Sequence, residues 1–256
     1  MSRRDYITKH IYTDFGSIAY HFKGPKMADT AIIFLHGHFD SALENRSYHL
    51  FDQNDEVLKI FLDHRWHGSS TRTKFYPSLS ERAEDIDILI ESILISFPSI
   101  ANLHIAGYSQ GGAVLLYYIT GDQSQKSKLN SVFIIAPRIR LRDYLKWFSK
   151  DIDEMERLGK KDFTKKYRSK GLVKYNGKYL KEFSEINLYD LVSKLKVPSV
   201  LIRGTEDDLI TKEEATRLIN LSNNSMAYHE ISDLGHNPDP KHWNKIYKYI
   251  KRSIDA

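Results

Sequence analysis

A regular alternation of short apolar runs with longer amphipathic stretches limits how this chain can fold. Seven short runs, most of them apolar, are predicted as strands: 18–22, 31–35, 57–62, 103–106, 132–136, 200–203 and 227–231. Several are apolar without interruption, which is typical of strands buried on both faces of a parallel sheet. The pattern therefore predicts a buried, mostly parallel sheet.

Helical periodicity is present in three of the intervals between these runs and after the last one. Helices are predicted at residues 80–97, 110–120, 211–220 and 240–253. The first stops before Pro98, and the second ends at Gly121, which is a favoured C-terminal capping residue. Strands that alternate with helices predict an α/β class fold with a doubly wound, mostly parallel sheet.

One segment, residues 138–188, interrupts the alternation with dense charge and scattered aromatic residues. Within it, Asn176-Gly177 separates two β-like runs, a pattern that predicts a hairpin with a type I′ turn. We expect residues 1–137 and 189–256 to form the core. Residues 138–188 are then expected to be an inserted cap or lid.

The sharpest chemical signal is Gly-Tyr-Ser-Gln-Gly-Gly at residues 107–112, between a predicted strand and a predicted helix. This is the context of a Gly-x-Ser-x-Gly nucleophile elbow, in which small residues allow a tight turn that exposes the serine hydroxyl. The helix N-terminus beneath it favours developing negative charge. The pattern indicates Ser109 as a nucleophile, although a glycine-rich turn with an incidental serine is the simpler alternative.

Two further loops supply an acid and a histidine in the order serine, acid, histidine. Glu206, Asp207 and Asp208 follow the strand at 200–203, and His236 follows the strand at 227–231. We expect His236 to be the general base, with a carboxylate fixing its tautomer. Asp207 and Asp208 compete for that role, with Glu206 a more distant candidate.

An oxyanion hole is also expected, and it requires two backbone N–H groups. One belongs to Gln110, the residue after the nucleophile. The other belongs to the loop after the strand at 31–35, which begins His36-Gly37-His38-Phe39 and whose glycine permits close approach.

These motifs together resemble the α/β-hydrolase superfamily over residues 15–137 and 189–253. The motifs are His36-Gly37, Asp63 to Ser70, the elbow, Gly204-x-x-Asp207 and Gly235-His236. Within that superfamily the chain is similar to small serine esterases of the S33-like group, related to bacterial cinnamoyl and feruloyl esterases and monoacylglycerol lipases. The resemblance implies Asp207 as the acid and His38 as the second oxyanion donor.

A metal site is the competing interpretation of one motif. His36-Gly37-His38-Phe39-Asp40 reads as His-x-His-x-Asp, and His64 and His67 follow one strand later. A metal site would need further ligands and would leave the elbow without a role. We therefore expect no metal and no cofactor, and structural roles for His36 and His67.

The formal charge of +5 is unevenly distributed. Residues 138–188 contain 15 Lys and Arg against 8 Asp and Glu, or +7, which leaves −2 for the rest of the chain. We therefore expect no nucleic-acid partner, and a solvated or substrate-attracting cap. Apolar runs are too short for a signal peptide or a bilayer span, so a cytoplasmic protein without stable membrane insertion is expected.

The sequence thus predicts a serine hydrolase acting on small-molecule carboxylic esters of small to medium acyl or aromatic acids. The chain has no cysteine, which excludes a thiol nucleophile. Thioesterase, monoacylglycerol lipase, S33-type peptidase or amidase, and a catalytically silent binding protein remain alternatives. A homodimer also remains open.

Overall fold

The computed structural model describes residues 6–43, 56–168 and 170–255. Its main sheet has eight strands in the order β1-β2-β4-β3-β5-β6-β9-β10. The ten described strands are β1 (Ile7–Thr13), β2 (Gly16–Lys23), β3 (Thr30–Leu35), β4 (Leu58–Asp63), β5 (Asn102–Tyr108), β6 (Ser131–Ile135), β7 (Asp162–Tyr167), β8 (Gly171–Asn176), β9 (Ser199–Gly204) and β10 (Met226–Ile231). In the main sheet, β2 pairs antiparallel with β1 and β4, and the remaining pairs are parallel.

Helices follow strands β4, β5, β6, β9 and β10 of the main sheet. The described α-helices are α1 (Leu79–Ser96), α2 (Gln110–Thr120), α3 (Leu141–Leu145), α4 (Ser149–Arg157), α5 (Gly177–Glu185), α6 (Leu188–Val192), α7 (Lys212–Leu221) and α8 (Pro240–Ile254). None of them is both long enough and apolar enough to cross a membrane. The predicted α/β fold with a doubly wound, mostly parallel sheet is confirmed.

The predicted strands and helices of the core are confirmed to within two residues at their ends. The apolar runs form the centre of the sheet, where every residue of β4 is buried. Phe34 of β3 stacks on Phe61 of β4 with ring centroids 4.7 Å apart, and Tyr247 of α8 lies 6.5 Å from Phe34. Helix α8 therefore covers the face of the sheet onto which Phe34 points.

Side-chain caps fix where two of the core helices begin. Ser78 accepts a hydrogen bond from the N–H of Glu81, whose carboxylate accepts one from the N–H of Ser78. Thr211 and Glu214 form the same reciprocal arrangement before α7. Such a capping box satisfies two N–H groups that the first helical turn leaves unpaired.

Residues 138–188 hold α3, α4, α5 and a separate antiparallel sheet formed by β7 and β8. We call residues 138–188 the insertion. Its interior is aromatic: Phe163 stacks on Tyr175 at 5.1 Å, and Tyr179 stacks on Phe183 at 4.3 Å. Tyr76 of the core lies 5.5 Å from Tyr175 and 5.9 Å from Tyr179 between ring centroids, so the aromatic interior of the insertion is continuous with the main core.

The predicted hairpin turn at Asn176-Gly177 is wrong. Asn176 ends β8 and caps α5, because its side chain accepts a hydrogen bond from the N–H of Tyr179 at 2.9 Å. The expected second run, residues 178–180, lies inside α5. Asparagine is favoured both in tight turns and at helix N-caps, so the dipeptide alone does not separate the two outcomes. The actual hairpin joins β7 to β8.

Strand β1 was absent from the prediction. Its sequence, ITKHIYT, forms an edge strand whose first four residues are exposed. An edge strand needs no apolar run, because much of its surface faces water.

Candidate active site

The predicted site residues lie directly beyond the carboxyl ends of strands in the main sheet. Ser109 directly follows β5, Asp207 lies three residues after β9, and His236 lies in the loop between β10 and α8. Because β5, β6, β9 and β10 run parallel, their carboxyl ends meet at this edge. The topology therefore brings three distant parts of the sequence together.

Ser109 occupies a strained turn between β5 and α2. Its backbone has φ 54° and ψ −114°, a conformation that side-chain-bearing residues rarely adopt. The turn is held by two hydrogen bonds, from the N–H of Ser109 to the carbonyl of Ile135 at 2.9 Å and from the N–H of Arg138 to the carbonyl of Ser109 at 3.0 Å. This geometry is that of a nucleophile elbow.

Two glycines beside Ser109 are required by close backbone packing. A Cβ atom on Gly107 would lie 2.5 Å from the carbonyl oxygen of Gly111. A Cβ atom on Gly111 would lie 2.6 Å from the carbonyl oxygens of Leu35 and His36. Since these neighbours are backbone atoms, larger residues would push α2 away from the loop after β3.

Ser109, His236 and Asp207 form a continuous hydrogen-bonded chain. Ser109 Oγ lies 3.0 Å from His236 Nε2, and His236 Nδ1 lies 3.1 Å from Asp207 Oδ2 and 3.2 Å from Oδ1. With Nδ1–H donating to the carboxylate, Nε2 is free to accept the serine proton. The arrangement can therefore raise the nucleophilicity of Ser109.

Asp207 is the carboxylate that reaches His236. Its side chain is fully buried, and its Oδ1 also accepts hydrogen bonds from the N–H groups of Leu209 and Ile210 at 2.9 and 3.1 Å. The alternatives Asp208 and Glu206 are exposed. Three hydrogen-bond donors fix the orientation of the Asp207 carboxylate.

The two predicted oxyanion residues lie on either side of Ser109. Gln110 is the first residue of α2, where backbone N–H groups have no partner within the helix. His38 belongs to the loop after β3, and a Cβ atom on the preceding Gly37 would lie 3.5 Å from Ser109 Cβ. The His38 ring contacts the Gln110 side chain, with Nδ1 2.7 Å from Oε1.

His36, which belongs to the motif with a competing metal-site interpretation, makes hydrogen bonds within the protein. His36 Nδ1 lies 2.8 Å from the carbonyl of Gly37, and its Nε2 accepts a hydrogen bond from the N–H of His64 at 3.4 Å. Burial is the main cause that lowers the pKa of His36 to about 3. Across the described ranges, no three His, Asp or Glu side chains are arranged to hold a metal ion.

We call residues 36–39, which follow β3, the oxyanion loop. A buried polar cluster behind this loop was not predicted from the sequence. We call it the Arg82 cluster; its members are Arg82, Tyr76, His67, His38 and Gln110. Arg82 donates from Nη1 to Gln110 Oε1 at 3.1 Å and from Nη2 to the Tyr76 hydroxyl at 2.5 Å. The Tyr76 hydroxyl lies 2.8 Å from His38 Nδ1 and 3.1 Å from His67 Nε2.

The helical spacing of α1 indicates that Arg82 is buried. It lies three residues after Leu79 and four before Ile86, both fully buried, so it belongs to the apolar face of α1. A charged residue on such a face indicates an internal partner.

Several solved structures share the fold of this chain. Est1E from Butyrivibrio proteoclasticus, solved with ferulic acid bound, superposes with a TM-score of 0.74 at 16% identity, covering 96% of this chain and 97% of that one. An esterase of Pyrococcus furiosus gives a TM-score of 0.66 at 18% identity over 98% and 90%. The thioesterase domain of the curacin biosynthetic pathway gives 0.65 at 13% identity over 96% and 99%. These similarities establish the fold.

The sequence comparison identifies the family. The profile of the family described as serine aminopeptidase, S33, matches residues 26–174, more than half of the chain, and this chain belongs to that family of hydrolases. The matched range includes Ser109, while Asp207 and His236 lie beyond it. No curated protein matches the chain significantly in sequence.

Proposed function

We propose that this protein is a serine hydrolase that cleaves carboxylic esters through a covalent acyl-enzyme. The observation that carries the proposal is the 3.0 Å contact of Ser109 Oγ with His236 Nε2, continued by the 3.1 Å contact of Nδ1 with Asp207. A buried acid, an imidazole and a serine in this arrangement are the parts that acyl transfer requires.

Acylation begins when Ser109 Oγ attacks the ester carbonyl carbon and His236 Nε2 takes its proton. The carbonyl oxygen becomes negative in the tetrahedral intermediate and is stabilised by the backbone N–H groups of His38 and Gln110. The intermediate then collapses, the bond to the alcohol oxygen breaks, and His236 protonates the departing alkoxide. Asp207 stabilises the imidazolium while it exists.

Deacylation uses the same groups with water as the nucleophile. His236 takes a proton from water, the hydroxide attacks the acyl carbon, and the bond to Ser109 Oγ breaks. The proton returns to Ser109, and the carboxylic acid leaves. Both half-reactions therefore use the same serine, imidazole and carboxylate, and water enters only in the second.

Aromatic side chains beside the oxyanion loop support small to medium acyl or aromatic acids as the substrate class. Phe39, directly after His38, contacts Trp66 at 5.9 Å and Tyr167 of β7 at 4.5 Å between ring centroids. The contact with Tyr167 joins the insertion to the oxyanion loop. We propose that the insertion acts as a cap whose aromatic residues receive the acyl part of the substrate.

The family description raises aminopeptidase activity as a second candidate. An aminopeptidase must bind the positively charged α-amino group of a peptide. The insertion carries a net +7 from its 15 Lys and Arg and 8 Asp and Glu, which disfavours a cationic substrate and favours neutral or anionic ones. Charge therefore supports esters over aminoacyl substrates.

A substrate panel tests the proposal. Purified protein is assayed with p-nitrophenyl butyrate, a monoacylglycerol, a hydroxycinnamate ester, an acyl thioester and an aminoacyl p-nitroanilide. We expect the oxygen esters to give the highest kcat/KM, and Ser109→Ala to lower it by about a thousandfold or more with folding intact. Ser253→Ala, an exposed serine on α8, is the matched control. Ester turnover that survives Ser109→Ala, or clear preference for the aminoacyl substrate, would overturn the proposal.

A further inference from the structure

The guanidinium of Arg82 is a buried charge whose hydrogen-bond partners are all neutral. Arg82 has no exposed surface, and its partners among the described residues are Gln110, Tyr76 and His67. Its Nε atom has no hydrogen-bond partner there. The nearby carboxylate of Asp85 is instead paired with Arg65 Nε at 2.6 Å.

Such an arrangement is costly in the resting protein. A buried cation normally has a carboxylate partner, because taking the charge out of water is unfavourable. A site that becomes negatively charged during the reaction would interact favourably with this buried charge. The oxyanion hole is such a site, and Arg82 contacts one of its two residues directly.

The hydrogen-bond geometry fixes the protons of the Arg82 cluster. Gln110 Oε1 accepts from Arg82, so it also accepts from His38 at 2.7 Å, which places the proton of His38 on Nδ1. His67 Nδ1 lies 3.0 Å from the carbonyl of Arg65 and must donate to it, so His67 Nε2 accepts from Tyr76 and Arg82. Since the Tyr76 hydroxyl donates to His67, its oxygen accepts from Arg82 Nη2 and from the Nδ1–H of His38.

The Arg82 cluster joins both sides of the oxyanion hole. Gln110 and His38 carry the two proposed N–H donors, and their side chains are tied to each other and, through Tyr76, to Arg82. Burial, followed by the charge of Arg82, lowers the pKa of His38 well below its usual range, so its ring stays neutral. The cluster therefore holds the two donors in place without adding another charge.

We propose that Arg82 is a positioning residue of the oxyanion hole, which fixes Gln110 and His38 and supplies a buried positive charge behind the developing oxyanion. This inference rests on the proposed function, because it requires Ser109 to be the nucleophile. In a low-dielectric interior, a fixed charge stabilises the intermediate more than water would.

Labelling with a fluorophosphonate probe tests the inference without knowledge of the natural substrate. Ser109 Oγ attacks phosphorus, the P–F bond breaks, fluoride leaves and His236 takes the serine proton, while a phosphoryl oxygen occupies the oxyanion hole. The second-order rate constant and the final fraction labelled are measured separately. A structural defect lowers the final fraction, whereas loss of oxyanion stabilisation lowers the rate constant.

The variants are Arg82→Met, Arg82→Lys and Tyr76→Phe, with Tyr118→Phe as control. Tyr118 on α2 also has a buried ring, but its hydroxyl donates to Asp87 at 2.8 Å, away from the Arg82 cluster. We expect Arg82→Met to slow labelling by about tenfold to a hundredfold with complete labelling at the end point. Arg82→Lys keeps the charge and should recover part of the rate. Tyr76→Phe should slow labelling by about threefold to tenfold, and Tyr118→Phe should not change it.

The outcomes separate the inference from the proposed function. If wild-type protein is not labelled, or Ser109→Ala is labelled equally, the proposed function fails. If wild-type protein is labelled at Ser109 and folded Arg82→Met reacts at the same rate, only the role of Arg82 is overturned. Should Arg82→Met not fold, Arg82→Lys and Tyr76→Phe decide the question, and wild-type rates for both would overturn it.

Discussion

The hydroxyl of Tyr108 donates a 2.7 Å hydrogen bond to the backbone carbonyl of His236. The residue before the proposed nucleophile thus holds the loop that carries the proposed base. The same hydroxyl lies 3.2 Å from Asn237 Oδ1, and burial is the main cause that raises the pKa of Tyr108 above its usual range. Tyr108 therefore remains a neutral donor at any working pH.

Replacement of Tyr108 by phenylalanine should loosen this loop and leave the nucleophile intact. A hydrogen bond of this kind contributes about 1 kcal/mol, which corresponds to a loss of about fivefold in kcat/KM on an ester substrate. The measurement is steady-state hydrolysis beside Tyr118→Phe, which loses a hydroxyl remote from Ser109. Unchanged kinetics in Tyr108→Phe would show that the loop does not need this contact.

The acid can be assigned by two matched substitutions at neighbouring positions. Asp207→Asn should lower kcat by about a thousandfold or more, because an amide does not stabilise the imidazolium and favours the wrong tautomer of His236. Asp208→Asn should stay within about twofold of wild type, since that side chain is exposed. A larger loss at Asp208 would reassign the acid.

Gly111 and Gly177 both lie in first helical turns but differ in the space around them. A Cβ atom on Gly111 would lie 2.6 Å from two backbone carbonyl oxygens, whereas one on Gly177 would lie 3.8 Å from its nearest neighbour. Gly111→Ala should destabilise the fold by about 3 kcal/mol or abolish ester hydrolysis. Gly177→Ala should leave the stability of the fold and the rate of ester hydrolysis near wild type. Urea unfolding and ester hydrolysis measured together check this, and a tolerated Gly111→Ala would contradict it.

Stability should fall as the pH drops from 7.5 to 5.5. Burial lowers the pKa of His36 to about 3 and holds those of His38, His64 and His67 well below their usual range. Below about pH 6.5 the unfolded chain binds protons that the folded chain does not, which favours unfolding by about 1.4 kcal/mol for each histidine at pH 5.5.

One buried carboxyl opposes this trend. Burial raises the pKa of Asp85 to about 6, so the folded protein binds a proton there before the unfolded chain does. That uptake stabilises the fold on acidification by about 1 kcal/mol at pH 5.5, and the net loss across the four histidines and Asp85 is about 5 kcal/mol.

Urea unfolding at both pH values measures the net loss. His36→Gln should make the difference smaller by the contribution of one histidine, and His10→Gln, at an exposed position, should not change it. Equal stability at the two pH values would contradict neutral burial of these rings.

The central sheet was predictable because burial on both faces leaves a direct mark on sequence. Strands β3 to β6 are nearly continuous apolar runs, helices follow β4 and β5, and the elbow at Ser109 adds glycines that the packing requires. Because Ser109, Asp207 and His236 each follow a predicted parallel strand, they could be placed together where these strands end. Selection of Asp207 over Asp208 needed the resemblance to a family, because adjacent loop carboxylates look alike in sequence.

The features that sequence did not predict depend on contacts between distant elements. Strand β1 pairs along an exposed edge, so its pattern carries no apolar run. Asn176 caps a helix because α5 continues beyond it. Arg82 lies on the buried face of α1, but only the folded chain shows that it meets Tyr76 and Gln110.

Strands β6 and β9 are hydrogen-bonded neighbours, although more than sixty residues separate them along the chain. The hydrogen-bonded ladder between β6 and β9 contains no residue of the insertion. The chain leaves the sheet after β6, forms the insertion, and returns to the sheet at β9. Changes of length or sequence beyond Arg138, whose N–H holds the carbonyl of Ser109, thus need not disturb the register that sets Ser109 against His236. Such a layout would preserve the proposed reaction centre while the segment that covers it varies in length.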